Sequence, residues 1–258
     1  MNTVFVYSAT GNSFATAKQI SEALDFRLVN ITDELINQEF TCDQAVFVYP
    51  VYAYGVPKTC KRFILNNKFN INYLASVATV GSSAGGAHVE VIKLFKRKDT
   101  RVNYTKAIKS VENFVHMFKL PEEEKIARLV KNQRELTATV IAEIRDQKAR
   151  KRALVRPESV LVSLVFRSVT GIFARRYKIT QDCNGCGICA RVCPANAIEM
   201  LHNGFDPTPE VVIHPKKCDH CQACMQLCPH RAIHFGRVTP DSRRYKHPDV
   251  TLKDLCKR

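Results

Sequence analysis

Cys183-x2-Cys186-x2-Cys189-x3-Cys193-Pro194 and, 35 residues further on, Cys218-x2-Cys221-x2-Cys224-x3-Cys228-Pro229 take up eight of the eleven cysteines of this 258-residue chain. Two-residue gaps let a tight loop wrap three sulfurs around one body, and the fourth ligand must then come from elsewhere. A [4Fe–4S] cube needs four thiolates, one per iron. Zinc sites favour paired ligands at each end of a longer gap rather than three thiols in two short steps. A disulfide scaffold would suit a secreted chain, but Met1-Asn2-Thr3 lacks a basic segment and the apolar run Val4–Tyr7 is too short for a signal peptide. The spacing therefore predicts two cubes and a carrier of electrons. The echo continues beyond the ligands, since Cys193-Pro-Ala-Asn-Ala-Ile198 matches Cys228-Pro-His-Arg-Ala-Ile233, which predicts two pseudo-symmetric halves. Cys42, Cys60 and Cys256 fall outside the pattern and read as core or idle thiols.

The other end of the chain carries a different signal. An apolar strand, Thr3–Tyr7, runs into Ser8-Ala-Thr10-Gly11-Asn12-Ser13, and an amphipathic stretch from Phe14 to Leu24 follows. In such a strand–turn–helix unit the backbone N–H groups and the helix N-terminus face an anion. Ser8, Thr10 and Ser13 add hydroxyl donors, and no lysine stands in the turn, which favours a monophosphate over a triphosphate with magnesium. Ala45–Tyr49 leads into Pro50-Val-Tyr52-Ala-Tyr54-Gly55, and Ala75–Val80 leads into Gly81-Ser82-Ser-Ala-Gly85-Gly86-Ala-His88. Both loops leave the carboxyl ends of strands, where open α/β sheets bind ligands. The first offers flat aromatics, and the second a glycine-rich surface that a planar ring can approach.

Residues 1 to about 145 resemble a flavodoxin, with Ser8–Ser13 matching its FMN-phosphate motif, and the cysteine runs resemble a bacterial two-cluster ferredoxin. The whole chain resembles the flavodoxin–ferredoxin fusion proteins of anaerobic bacteria and archaea. The resemblance implies an α/β, flavodoxin-like, doubly wound sheet of five parallel strands in the order 2-1-3-4-5, followed by a small α+β two-cluster domain. Strands are expected near 3–7, 26–29, 45–49, 75–80 and 106–110, and helices near 13–24, 57–66, 87–97 and 121–144. In two-cluster ferredoxins the fourth cysteine of each run serves the other cluster. That implies one set of Cys183, Cys186, Cys189 and Cys228 and a second of Cys218, Cys221, Cys224 and Cys193. FMN is expected against Ser8, Thr10, Gly11, Asn12 and Ser13 through its phosphate. Its ring is expected against Pro50, Tyr52, Tyr54, Gly55, Gly81, Ser82, Gly85 and Gly86. With no tryptophan in the chain, Tyr52 or Tyr54 must supply any aromatic stacking.

Three segments are expected: a flavodoxin-like FMN domain over 1–150, a basic apolar linker over 151–176, and a two-cluster domain over 177–258. The formal charge is +15, with 22 Lys/Arg against 10 Asp/Glu over residues 91–182 alone. Pro121-Glu-Glu-Glu124 starts a helix, basic residues crowd Arg145–Arg152, and Pro157 breaks the pattern. Val160–Tyr177 is apolar but interrupted by Arg167, Gly171 and Arg175-Arg176, so it is too short and too charged to span a bilayer. Peripheral contact with anionic lipid is one use for it, but packing between the two domains is preferred, because clusters need apolar cover. No nucleic-acid motif accompanies the basic residues, so no nucleic acid is expected; an acidic redox protein, steered by charge, is the expected partner. The cluster thiolates suit a reducing cytoplasm in an anaerobe. The expected function is electron transfer between FMN and the two clusters, linking two-electron and one-electron carriers, with no catalytic acid or base. His88 is expected to cap the next helix or face water. The alternative is an FMN-dependent reductase of a quinone, nitro compound or similar acceptor fed by the clusters. No nicotinamide-binding Gly-x-Gly-x-x-Gly follows a strand.

Overall fold

The computed structural model describes residues 1–150, 161–165, 172–202, 209–236 and 243–256. Val4 and Val6 point to one side of the first strand and Phe5 and Tyr7 to the other, and all four are buried. This period-two burial on both faces requires cover above and below. The strands β1 (Thr3–Val6), β2 (Arg27–Asn30), β3 (Glu39–Pro50), β4 (Lys68–Val80) and β5 (Val102–Lys109) form one parallel sheet in the order 2-1-3-4-5. Helices α1 (Asn12–Leu24) and α4 (Glu123–Arg145) cover the valine-rich face, and α2 (Lys58–Asn66) and α3 (Ala87–Lys96) cover the phenylalanine-rich one. The flavodoxin-like topology is thus as expected.

β3 and β4 begin earlier than the sequence suggested, at Glu39 and Lys68, and pair along their added length from Glu39↔Lys68 to Gln44↔Tyr73. The first half of β4 alternates exposed with buried residues over Lys68–Tyr73, and that of β3 alternates exposed with half-buried ones. Such a half-buried extension lacks the continuous apolar run by which a central strand is recognised.

The remainder is small and antiparallel. β6 (Tyr177–Ile179) pairs with β9 (Ile233–Phe235), and β7 (Ile198–Leu201) with β8 (Glu210–Ile213). One-turn helices, Ile188–Arg191 and Ala223–Gln226, lie within the two cysteine runs. This region has its own core around Ala195, Ala197, Met225 and Ile233. It also shares one with the sheet, because Val192, Ala223, Leu227, Val250 and Leu255 join the cluster under α1 and α4. Tyr245, Val250 and Leu255 thus pack on the flavodoxin-like half.

Val160–Tyr177 is described only in part. Its break at Pro157, Arg167 and Gly171 lie outside the described residues. Where it is described, Leu161 is 64% and Ile172 61% exposed, while Phe173 and Tyr177 lie against His220 and Phe235 and Tyr177 also meets His116, so its last residues pack between the β5 loop and the second cysteine run. Among the described residues no helix is long and apolar enough to cross a membrane.

Candidate functional site

The carboxyl ends of the strands open onto a cavity of about 350 Å³, within the size range of small-molecule and cofactor sites. Its floor is the turn after β1. Gly11 precedes α1 with φ 107°, a left-handed value suited to glycine. A Cβ on it would also lie 2.8 Å from His247 Cβ. Ser8 Oγ accepts from Phe14 N–H at 3.2 Å. Ser13 Oγ meets Thr79 Oγ1 at 2.7 Å, and Thr10 Oγ1 accepts from Asn113 Nδ2. Hydroxyls that accept in this way keep an O–H proton to donate. Among the described residues nothing accepts from the backbone N–H groups of Thr10, Gly11, Asn12 or Ser13. Orphan donors at a helix start are the donor set a phosphate requires. Among the described residues no lysine or arginine lines the cavity.

The ring loops divide between wall and support. Pro50, Tyr52, Tyr54, Gly81 and Ser82 line the cavity. Gly55, Gly85 and Gly86 do not, and Gly11 is covered from behind by His247 and Val250. Gly55 closes a tight hairpin on Tyr52 through two 3.0 Å backbone hydrogen bonds, with Ala53 and Tyr54 at positive φ. Gly85, at φ 49°, makes room for Tyr54, whose Cβ would lie 2.4 Å from a Cβ there. These glycines shape the loop that presents Tyr54. Tyr52 turns its ring edge-on to Tyr7, with centroids 6.3 Å apart. His88 neither caps α3 nor meets water. It is buried, with Nδ1 3.1 Å from Tyr49 Oη and 3.3 Å from Ser76 Oγ. Burial lowers its pKa to about 4, which keeps the ring neutral.

The fourth wall was not anticipated. The loop after β5 contributes Glu112, Asn113, Phe114, Met117 and Phe118, and the rule that strand ends bind ligands applied to β5 as much as to β1, β3 and β4. The roof comes from the second cysteine run, through Asp219, His220, Cys221 and Gln222. Asp219 is buried, and its Oδ2 accepts from Tyr7 Oη at 2.9 Å and from Thr59 N–H, in the first turn of α2, at 3.2 Å. Burial raises its pKa, while the Thr59 and Tyr7 hydrogen bonds pull the other way. His220 Nε2 lies 3.2 Å from His116 Nδ1, and the His116 ring stacks on Phe235 at 3.7 Å. These rings form an apolar sleeve between the β5 loop and the second run.

The eight cysteines gather as two groups drawn from both runs. Cys183, Cys186, Cys189 and Cys228 line one small cavity of their own. Cys218, Cys221, Cys224 and Cys193 face one another closely enough for each thiolate to raise its neighbours' pKa. Burial is the larger cause, pushing Cys218 up to about 12 and Cys189 to about 11. Thiols held this way lose their protons only to a metal that binds the sulfur. Among the described residues no three His, Cys, Asp or Glu side chains converge as they would around a single ion.

Residues 182–232 match the family of 4Fe-4S dicluster domains. No curated protein matches the sequence. Among solved structures, the chain is similar to the two-electron reduced flavodoxin of Megasphaera elsdenii, with 14% identity over 42% of this chain and 85% of that one and a TM-score of 0.33. It is also similar to the Streptococcus pneumonia TIGR4 flavodoxin, at 16% identity over 54% and 98% with a TM-score of 0.32. A flavodoxin from the domain Archaea follows at 14% identity over 54% and 99%, with a TM-score of 0.30. The strand order, read directly from the pairing, carries the fold assignment. The protein is a redox protein that joins a flavodoxin-like α/β half to a 4Fe-4S dicluster half. The two sets of four thiols are donors of the kind that [4Fe–4S] clusters take, and the turn after β1 leaves N–H donors of the kind that a phosphate takes.

Proposed function

We propose that this chain transfers electrons between FMN, seated in the cavity, and two [4Fe–4S] clusters, and on to an external partner. One observation carries the reading: the cavity at the strand ends is roofed by Cys221 and its neighbours in the second run. FMN supplies paired or single electron transfer when bound, and each cube passes one electron. Cys218, Cys221, Cys224 and Cys193 hold the cube next to the cavity, and Cys183, Cys186, Cys189 and Cys228 hold the outer one. Asp219 pins the inner loop to the sheet through Tyr7 and Thr59. His116, His220 and Phe235 keep water from its flank. Cys186 is exposed, and Arg191 donates to its carbonyl oxygen at 3.3 Å. This is the exit that an acidic redox protein would meet, and the net charge of +15 supports such a partner. The redox chemistry suits a reducing cytoplasm.

Anaerobic purification followed by cofactor analysis and stepwise reduction tests the reading. The expected content is about eight iron, about eight sulfide and one FMN per chain, with flavin and cluster bands bleaching in the same titration. A preparation that takes up clusters but no FMN would reject it. A second reading, an FMN-dependent reductase of a quinone or nitro compound, draws support from the exposed apolar side chains of Met117 and Phe118 on the cavity wall. Saturable turnover of such acceptors without a protein partner would favour it.

A further inference from the structure

The two ligand loops are copies, yet they differ where the backbone turns left-handed. In the first loop those positions are Gly185 at φ 73° and Gly187 at φ 69°. Their counterparts 35 residues on are His220 at φ 57° and Gln222 at φ 64°. Glycine takes such angles freely, whereas a glutamine there is strained. At Gly187 a Cβ would meet nothing within 4 Å. At the matching place the second loop carries a long side chain, and the space beside it is the cavity.

Gln222 is 2% exposed and lines that cavity next to Cys221. Among the described residues neither its Oε1 nor its Nε2 has a hydrogen-bond partner. A carboxamide offers two donors and an acceptor with two lone pairs, and burying all of them unpaired is costly. Strain in the backbone and an empty amide in the side chain coincide at one residue, and they do so on the wall shared with the strand-end loops. Strain of this kind is tolerated where a ligand makes use of it.

We infer that Gln222 is a flavin-binding residue. Its amide hydrogen-bonds the polar groups of the bound flavin, and the dicluster half thereby completes a cofactor site that the sheet alone leaves open on one side. This rests on the FMN reading above. The residue that touches the flavin is also the immediate neighbour of a cluster ligand, so the same short loop fixes both redox groups.

The test uses the full chain with its clusters, stripped of flavin and titrated anaerobically with FMN by fluorescence quenching. Gln222→Gly removes the amide and suits the φ of 64°. Its expected dissociation constant for FMN is about tenfold weaker, the effect of losing one or two buried hydrogen bonds, with iron content unchanged and a shifted flavin midpoint potential. Should the glycine variant lose iron, Gln222→Asn serves instead, because asparagine also tolerates this backbone. Its shorter amide is expected to weaken FMN binding while the clusters stay. Equal affinity and equal flavin potential in an iron-replete variant would overturn the inference and leave the FMN reading standing. Failure of the unsubstituted protein to bind FMN would overturn both.

Discussion

The loop 183–189 and the loop 218–224 share one ligand spacing and live in different surroundings. Asn184 serves its own turn, accepting from Cys186 N–H at 3.2 Å. Asp219, at the equivalent position, instead reaches Tyr7, 212 residues away in sequence, and Thr59, 160 residues away. The first loop keeps glycines at its left-handed positions and leaves Cys186 exposed. The second replaces them with His220 and Gln222 and lies under the β5 loop. The ligand spacing decides what a loop holds. The residues between the ligands decide what it faces.

Cys193→Ser gives the largest expected effect and breaks the comparison at its root. Cys193 lies in the first run but sits with Cys218, Cys221 and Cys224. Its loss should empty the inner site and halve the iron from about eight to about four per chain, measured by iron and sulfide assay. Loss confined to the outer site would reverse the assignment.

Gly11→Val should follow. A β-branched side chain at φ 107° and 2.8 Å from His247 Cβ cannot be accommodated in place. Backbone strain of about 1–3 kcal/mol should lower the thermal midpoint and weaken FMN binding, with the outer cluster's spectrum retained. Unchanged FMN affinity would remove the turn from the site.

Asp219→Ala and Asn184→Ala sharpen the comparison directly. The first leaves Tyr7 Oη and Thr59 N–H buried without their acceptor, at about 1–3 kcal/mol. The second removes an exposed turn contact and should stay within about 0.5 kcal/mol. Reversible denaturation of the cluster-loaded protein reads both, and equal effects would mean that the two loops are anchored alike.

The smallest effect concerns the C-terminal segment that backs the second loop. Arg134 holds Asp249 in an exposed bidentate pair, which keeps the Asp249 carboxyl below its ordinary value. A depressed folded-state pKa adds stability that is present above the unfolded carboxylate's pKa of about 3.9 and is lost as pH falls through the lower folded value. Solvent screening limits it to a few tenths of a kcal/mol, at about 0.2–1 for exposed pairs in general. Asp249→Asn should therefore change the denaturation midpoint slightly at pH 7, and the difference should shrink as pH falls below about 3.9. A large loss at pH 7 would mean that the pair anchors the whole segment.

Much of the molecule was legible in its sequence because the relevant physics is local. The ligand runs, the turn after β1 and the alternation of Val4, Phe5, Val6 and Tyr7 each act within a few residues, where spacing maps directly onto geometry. The loop after β5 could have been read by the same strand-end rule. Other features had no local mark. Nothing in Tyr245-Lys-His247 says that His247 N–H will donate to Thr10 O at 2.8 Å, or that Tyr245 Oη will reach Asn12 Oδ1 at 2.8 Å. The exposure of Leu161 and Ile172 ran against their composition.

The sequence by itself determined two cluster-type ligand runs and a hydroxyl-rich strand–turn–helix start on a doubly wound sheet. Only the tertiary structure decided which cysteine run meets the cavity, that Gln222 turns left-handed into it, and that His247 and Val250 close over Gly11. Those contacts join residues more than a hundred positions apart, and their energy depends on shape and burial that no stretch of sequence contains alone.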